Sequence, residues 1–151
     1  MARLYVMIGL PGAGKTTVGR QIATQESALL LSPDHWMTRL RLDGYDPVAR
    51  EAVKALQFEV AAQALKAGTS VVLDSGFLHR HERDAAQLLA DRHLVELRRV
   101  FLNPDIDVLW HRLQARNAAL PPDTFPVTRE HLVLSQGWLE LPGPDEPLWT
   151  P

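Results

Sequence analysis

Leu4-Tyr5-Val6-Met7-Ile8-Gly9-Leu10-Pro11-Gly12-Ala13-Gly14-Lys15-Thr16-Thr17 is the stretch that decides the fold of this chain. The apolar run from Leu4 to Ile8 shows no alternation and stops at Gly9, which suits a central strand buried on both faces. Gly9 to Thr16 then match the pattern of two glycines with four residues between them, followed by Lys and by Ser or Thr. Glycines there let successive backbone N–H groups turn inward and approach phosphate without a Cβ clash. After Lys15, Val18 and Ile22 recur among polar residues, the spacing of an amphipathic helix whose N-terminus points at the same anion. Strand, glycine-rich loop and helix in that order form a phosphate-binding loop. Gly9, Gly12, Ala13, Gly14, Lys15, Thr16 and Thr17 are its nucleotide-binding residues, and ATP with Mg²⁺ is the expected pair. Lys15 is expected to bridge the β- and γ-phosphates, and the Thr16 hydroxyl to ligate magnesium.

Outward from this loop the chain continues to alternate strands and helices. Ala28 to Leu31 reads as a second strand, closed by Ser32-Pro33-Asp34, and a short helix is expected from Asp34 to Leu42. Asp46 and Pro47 announce a long helix that Gly68 ends. Its inward face is read as Val53, Leu56, Val60 and Ala64. Ser70 to Asp74 is a third strand, and His79 to Asp91 a helix with Ala85, Leu88 and Leu89 inward. Leu94 to Leu102 is a fourth strand, followed by a helix after Asn103-Pro104 that carries the stripe Ile106, Leu109, Trp110 and Leu113. Thr128 opens a last helix to about Leu139, and the proline-rich tail from Pro142 is expected to run extended, with the option of an edge strand. Four alternations of this kind predict one α/β domain over residues 1–151, a three-layer αβα sandwich with a mainly parallel sheet.

Composition narrows the function. Hydrophobic residues at 46% and charged residues at 23% exclude a disordered or fibrous chain. No apolar run is long enough to span a bilayer, and the N-terminus carries no cleavable signal. A cytoplasmic protein with no membrane contact is expected. Without cysteine there is neither a disulfide frame nor a thiolate metal site. The net charge of −2, from 16 basic and 18 acidic residues, disfavours a nucleic-acid partner, because phosphate neutralisation drives such binding. Nothing in the sequence selects an oligomeric state.

Two aspartates stand where strands end. In an open parallel sheet ligands gather beyond the carboxyl ends of the strands, so Asp34, Asp74 and the loop should converge. Guanine-specific Asp-x-x-Gly and Asn-Lys-x-Asp patterns are absent, and Asp74 is followed by Ser75-Gly76, not by a second carboxylate that would activate water. Transfer to an acceptor hydroxyl is therefore favoured over hydrolysis. Asp34 suits the general base, and Arg112 and Arg116, four residues apart on one helix face, suit the migrating phosphoryl group. Asp74 is a second magnesium ligand, direct or through water, or an acceptor contact. Trp36, Arg39, Arg80 and Arg83 are further candidates for touching the acceptor, and residues 117–127 for a lid. Each has a plainer alternative: Asp34 as a helix cap, Asp74 as a strand-end bond to backbone, the arginines as a solvated face, Trp36 as core.

Taken together, Gly-Leu-Pro-Gly-Ala-Gly-Lys-Thr-Thr, Ser32-Pro33-Asp34, Val71-Val72-Leu73-Asp74, Arg112 and Arg116 resemble the small P-loop kinases of the AAA_33 group. That group is related to the kinase domain of phage polynucleotide kinase, chloramphenicol phosphotransferase and the zeta toxins. The resemblance covers most of the chain to about residue 117. It implies a sheet order 2-3-1-4, with a fifth strand as an option, Asp34 as the general base and an adenine site near the tail from Pro142 to Trp149. One departure is Met37, where the group commonly places a substrate-binding arginine; Arg39 and Arg41 are the nearest replacements. The leading expectation is a kinase acting on a small-molecule hydroxyl, with a polynucleotide 5′-hydroxyl kinase as alternative and a slow ATP-binding switch as a third.

Overall fold

The computed structural model describes residues 1–151, and the predicted alternation is realised in full. The order is β1 (Arg3–Ile8), α1 (Lys15–Gln25), β2 (Leu29–Leu31), α2 (Pro33–Arg39), α3 (Pro47–Lys66), β3 (Val71–Gly76), α4 (Arg80–Arg92), β4 (Glu96–Phe101), α5 (Ile106–Ala118) and α6 (Arg129–Trp138). All strand pairs are parallel and their order is β2-β3-β1-β4. The proposed fifth strand reduces to one bridge between Arg99 and Leu148 beside β4.

Side-chain alternation along β1 separates the two faces of the sheet. Leu4, Val6 and Ile8 pack with Leu73 of β3, Ala61 and Leu65 of α3 and Ala86 and Ala90 of α4. Tyr5 and Met7 turn the other way, onto Ile22 of α1, with Val72, Val100 and the tail residue Trp149. A third cluster joins Leu109 and Leu113 of α5 to Leu132 of α6 and to Leu10 and Ala13 of the glycine-rich loop. Helices thus cover both faces, and the loop itself is clamped against α5.

Helix boundaries follow the local signals. Asp46 caps α3 by accepting from the N–H groups of Val48 and Ala49 at 3.0 and 3.2 Å, with Pro47 at the first position. Thr128 caps α6 by accepting from His131 N–H at 3.1 Å. Two inward faces differ from expectation. α3 buries Val53, Gln57, Ala61 and Leu65, and Leu56 is exposed, because the face is set one position round by the small Ala61 against the sheet. α4 buries Arg83, Ala86 and Ala90, whereas Ala85 and Leu88 face solvent. Alanine at the buried positions lets both helices approach the sheet closely, at the expense of the leucines that sequence hydrophobicity favours.

Candidate active site

The loop from Gly9 to Gly14 is built for close approach. A Cβ on Gly9 would lie 2.7 Å from the carbonyl oxygen of Leu102, and Gly9 N–H donates to the carbonyl of Gly76 at 3.0 Å. Gly12 and Gly14 have φ of 82° and 97°, left-handed values that any other residue adopts only with strain. Nothing lies within 4 Å of where a Cβ of Gly14 would be, so its left-handed backbone, not crowding, calls for glycine there. Lys15 Nζ donates to the carbonyl of Leu10 at 2.9 Å, curling back over the loop. Thr16 Oγ1 donates to Asp74 Oδ2 at 3.0 Å, which places two oxygen donors side by side at the end of β3. That donor set fits a hard divalent cation such as Mg²⁺. Thr17 is exposed in the first turn of α1.

Burial governs the charges here. Desolvation lowers the Lys15 pKa, against the opposing pull of Asp74 and Asp34 and with a further push from Arg116. Burial likewise raises the Asp74 carboxyl, against Lys15 and the Thr16 hydrogen bond, with Asp34 adding to the rise. Lys15 thus feels the charges of Asp74, Asp34 and Arg116, and Asp74 those of Lys15 and Asp34.

Asp34 lies in the first turn of α2, where Ser32 holds the capping position. Its carboxylate is not a cap: Oδ1 accepts from Arg50 Nη2 of α3 at 2.6 Å. The same guanidinium donates from Nε and Nη2 to the carbonyl of Gly44 at 3.0 and 2.8 Å, so the cation is fixed on three bonds. Arg50 is the residue that the sequence reading missed. It places a guanidinium against Asp34, whereas Arg39 and Arg41, the replacements considered for the arginine absent at Met37, make no bond to Asp34. Met37 is fully buried, and the Arg39 side chain, 72% exposed, reaches only toward Asp123 at 3.8 Å. Tyr45 also joins this corner. Burial first, and then the charge of Asp34, raise its phenol pKa, and its hydroxyl donates to the carbonyl of Pro126. Trp36 is half-buried against the main apolar cluster, which favours its plainer reading as core.

Residues 117–127 lie over the same corner. Asn117 ties the segment off, donating to the carbonyl of Val127 at 2.8 Å and accepting from its N–H at 3.1 Å. Asp123 pairs with His35 at 2.7 Å, and the Phe125 ring occupies the space a side chain at Gly44 would need. Of the arginine pair, Arg112 is exposed and donates to the carbonyl of Gly12 at 3.3 Å, whereas the Arg116 Nε is buried without a partner.

Arg80 and Arg83 do not face this site, which corrects the expectation of acceptor contacts. Arg83 is 1% exposed and donates from Nε to Glu146 Oε2 at 2.6 Å and from Nη1 to the carbonyls of Phe77 and Leu78. Arg80 pairs with Asp84, Asp145 and Glu146. Both latch the C-terminal tail onto α4. The tail places Trp149 at 5.4 Å from the Tyr5 ring and at 4.8 Å from the Arg98 guanidinium, midway along the strands. That position is away from the loop. No group of three or more metal-binding side chains occurs among His, Asp and Glu, and no helix is long and apolar enough to cross a membrane.

Comparison with known proteins follows the same lines. The AAA_33 family model, described as an AAA domain, matches residues 4–142. The chain belongs to the AAA_33 family. A shikimate kinase of Thermobifida fusca is 35% identical over 135 residues, 82% of this chain and 78% of that protein. A shikimate kinase of Rhizobium leguminosarum bv. trifolii is 31% identical over 121 residues, 77% of this chain and 59% of that protein. The chain thus spans about three fifths of the length of the first curated relatives it matches. Among solved structures, a chain of the Pnkp1/Rnl/Hen1 RNA repair complex superposes with a TM-score of 0.78 at 17% identity, over 91% of this chain and 44% of its own. A gluconokinase from Sinorhizobium meliloti superposes with a TM-score of 0.67 at 22% identity, over 97% and 80%. Both are likenesses of fold.

Proposed function

We propose that this chain is an ATP-dependent kinase that moves the γ-phosphoryl group of ATP onto a hydroxyl of a small acceptor. The observation that carries the reading is Asp34, held by Arg50 at 2.6 Å and within electrostatic reach of Lys15 at the mouth of the phosphate loop. A carboxylate beside the phosphates, oriented by a fixed cation, is what an acceptor hydroxyl needs to lose its proton. In the transfer, Asp34 takes the hydroxyl proton as the acceptor oxygen bonds to phosphorus, and the bond to the β-phosphate bridging oxygen breaks to release ADP. Lys15 binds the phosphates once it leaves the Leu10 carbonyl, and Arg116, whose Nε has no protein partner, meets charge on the migrating group. Thr16 and Asp74 would hold Mg²⁺, directly or through water, and the ion would neutralise phosphate charge. The segment 117–127 is the lid that excludes water.

Two features favour a small acceptor. The segment 117–127 packs onto Gly44 and Tyr45, next to the Arg50 that holds Asp34, which narrows the approach to the base. The net charge of −2 gives no electrostatic draw to a polynucleotide. Shikimate and gluconate, the acceptors that the names of the relatives imply, are small polyhydroxylated acids and belong in the first test. Transfer from labelled MgATP to shikimate, gluconate, nucleosides, aminoglycosides, chloramphenicol and a 5′-hydroxyl oligonucleotide tests the proposal. Labelling of a small acceptor is expected. Labelling of the oligonucleotide alone, or ATP binding with no transfer to any acceptor, would overturn it.

A further inference from the structure

Gly44 is buried between the exposed Asp43 and Tyr45, in the turn that leads into α3. Its φ lies outside the left-handed range, so its backbone conformation does not call for glycine. Phe125 does. A Cβ on Gly44 would run into Cγ, Cδ2 and Cε2 of the Phe125 ring, closer than carbon atoms pack. The ring, half-buried, thus fills the place where a side chain of the turn would stand.

The backbone oxygen of the same glycine anchors the partner of the base. Arg50 donates to it from Nε at 3.0 Å and from Nη2 at 2.8 Å, and Nη2 also donates to Asp34 at 2.6 Å. The Arg50 and Asp34 side chains are 33% and 45% exposed, and at such exposure an ion pair alone seldom fixes two side chains. Two bonds to one backbone oxygen orient the guanidinium, and its third bond then orients the carboxylate. The segment 117–127 also reaches the other side of the base, where Asp123 pairs at 2.7 Å with His35, the residue after Asp34. It therefore grips both α2, which carries the base, and the turn that anchors the partner of the base.

We propose that Phe125 is a positioning residue for Asp34: seated on Gly44, its ring holds the Gly44 carbonyl against Arg50, and Arg50 aligns the base. The role of Asp34 rests on the kinase reading above; the mechanical link does not. Gly44→Ala evicts the ring without straining the turn, and Phe125→Ala removes it. Transfer from MgATP to gluconate and to shikimate is measured for both variants, for the double variant, and for Phe125→Ala combined with Arg50→Met. Release of phosphate from ATP is followed alongside. Exchange of the Arg50 Nε–H with water, its NMR signal identified by its loss in Arg50→Met, is read in the full chain.

Each single variant should lose roughly 10- to 10²-fold in kcat, with the KM for ATP unchanged and with faster exchange at Arg50 Nε–H. The double variant should be no worse than Phe125→Ala alone, and Phe125→Ala should cost nothing further once Arg50 is gone. Wild-type exchange at Arg50 Nε–H in both single variants overturns the proposal, whether or not any acceptor is phosphorylated. So does a Phe125→Ala loss that is the same with and without Arg50. A Phe125→Ala variant that keeps transfer and gains ATP hydrolysis also overturns it, because the ring would then be a seal against water. Faster exchange with no transfer to any acceptor keeps the link from Phe125 to Arg50 and removes the kinase reading, so the two failures are distinct.

Discussion

Two carboxylates are buried in this molecule, and their surroundings could hardly differ more. Asp74, 7% exposed at the end of β3, has one neutral hydroxyl, that of Thr16, as hydrogen-bond donor. Glu146, 3% exposed in the tail, receives two bonds from Arg83, with Arg80 at 3.2 Å and Arg99 at 3.9 Å. For Asp74, burial prevails and the pKa is raised. Burial would raise Glu146 too, but the Arg83 hydrogen bond and the surrounding arginine charges more than offset it, and its pKa is lowered. A charge left short of partners inside a fold is kept for something the protein binds, and a charge surrounded by counter-ions is kept for the fold.

That contrast can be broken from either side. The largest effect is expected at the counter-charge of Asp74: Lys15→Ala should remove the cation from the loop, weaken nucleotide binding and leave no measurable transfer, while the melting temperature of the empty protein changes little. Titration calorimetry with ATP and the transfer assay check this together. On the tail, Arg83→Ala leaves Glu146 buried with only Arg80 and Arg99 beside it. A loss of about 3 kcal/mol in unfolding free energy is expected, read by denaturant titration, with the KM for ATP unchanged. Acid should distinguish the two carboxylates most finely. Glu146, with its lowered pKa, contributes stability that is present above its ordinary value of 4.5 and lost as pH falls through the folded value. Asp74, with its raised pKa, acts oppositely, and its contribution to stability declines as pH rises from 3.8 through the folded value. In thermal melts across this range, Glu146→Gln should flatten the acid loss, and Asp74→Asn should melt no lower than wild type near neutral pH.

What could be read from sequence follows the same division. The phosphate loop was legible because its work is done by contiguous backbone, and two glycines in left-handed conformation leave a local signature at Gly12 and Gly14. The sheet was legible because β1 and β3 are near-continuous apolar runs. Asp34 showed through its place after β2. Arg50 did not, because its bond to Asp34 spans 16 residues and a loop, and in sequence it is one more arginine on a helix. Arg80 and Arg83 misled through nearness to Asp74 in the chain: α4 turns Arg83 under the sheet edge to meet a glutamate 63 residues away. The buried Gln57 was not legible because the inner face of α3 was read through Leu56, Val60 and Ala64, one position away from the Gln57, Ala61 and Leu65 that the helix turns inward.

The account stands most directly on Asp34. Asp34→Asn keeps the size of the side chain and a carbonyl oxygen for Arg50, but it cannot take up the acceptor proton. Single-turnover transfer with the preferred acceptor, measured beside ATP affinity, should fall by roughly 10²–10⁴-fold at unchanged ATP affinity. Transfer at the wild-type rate in Asp34→Asn would contradict the account, because the base would then lie elsewhere.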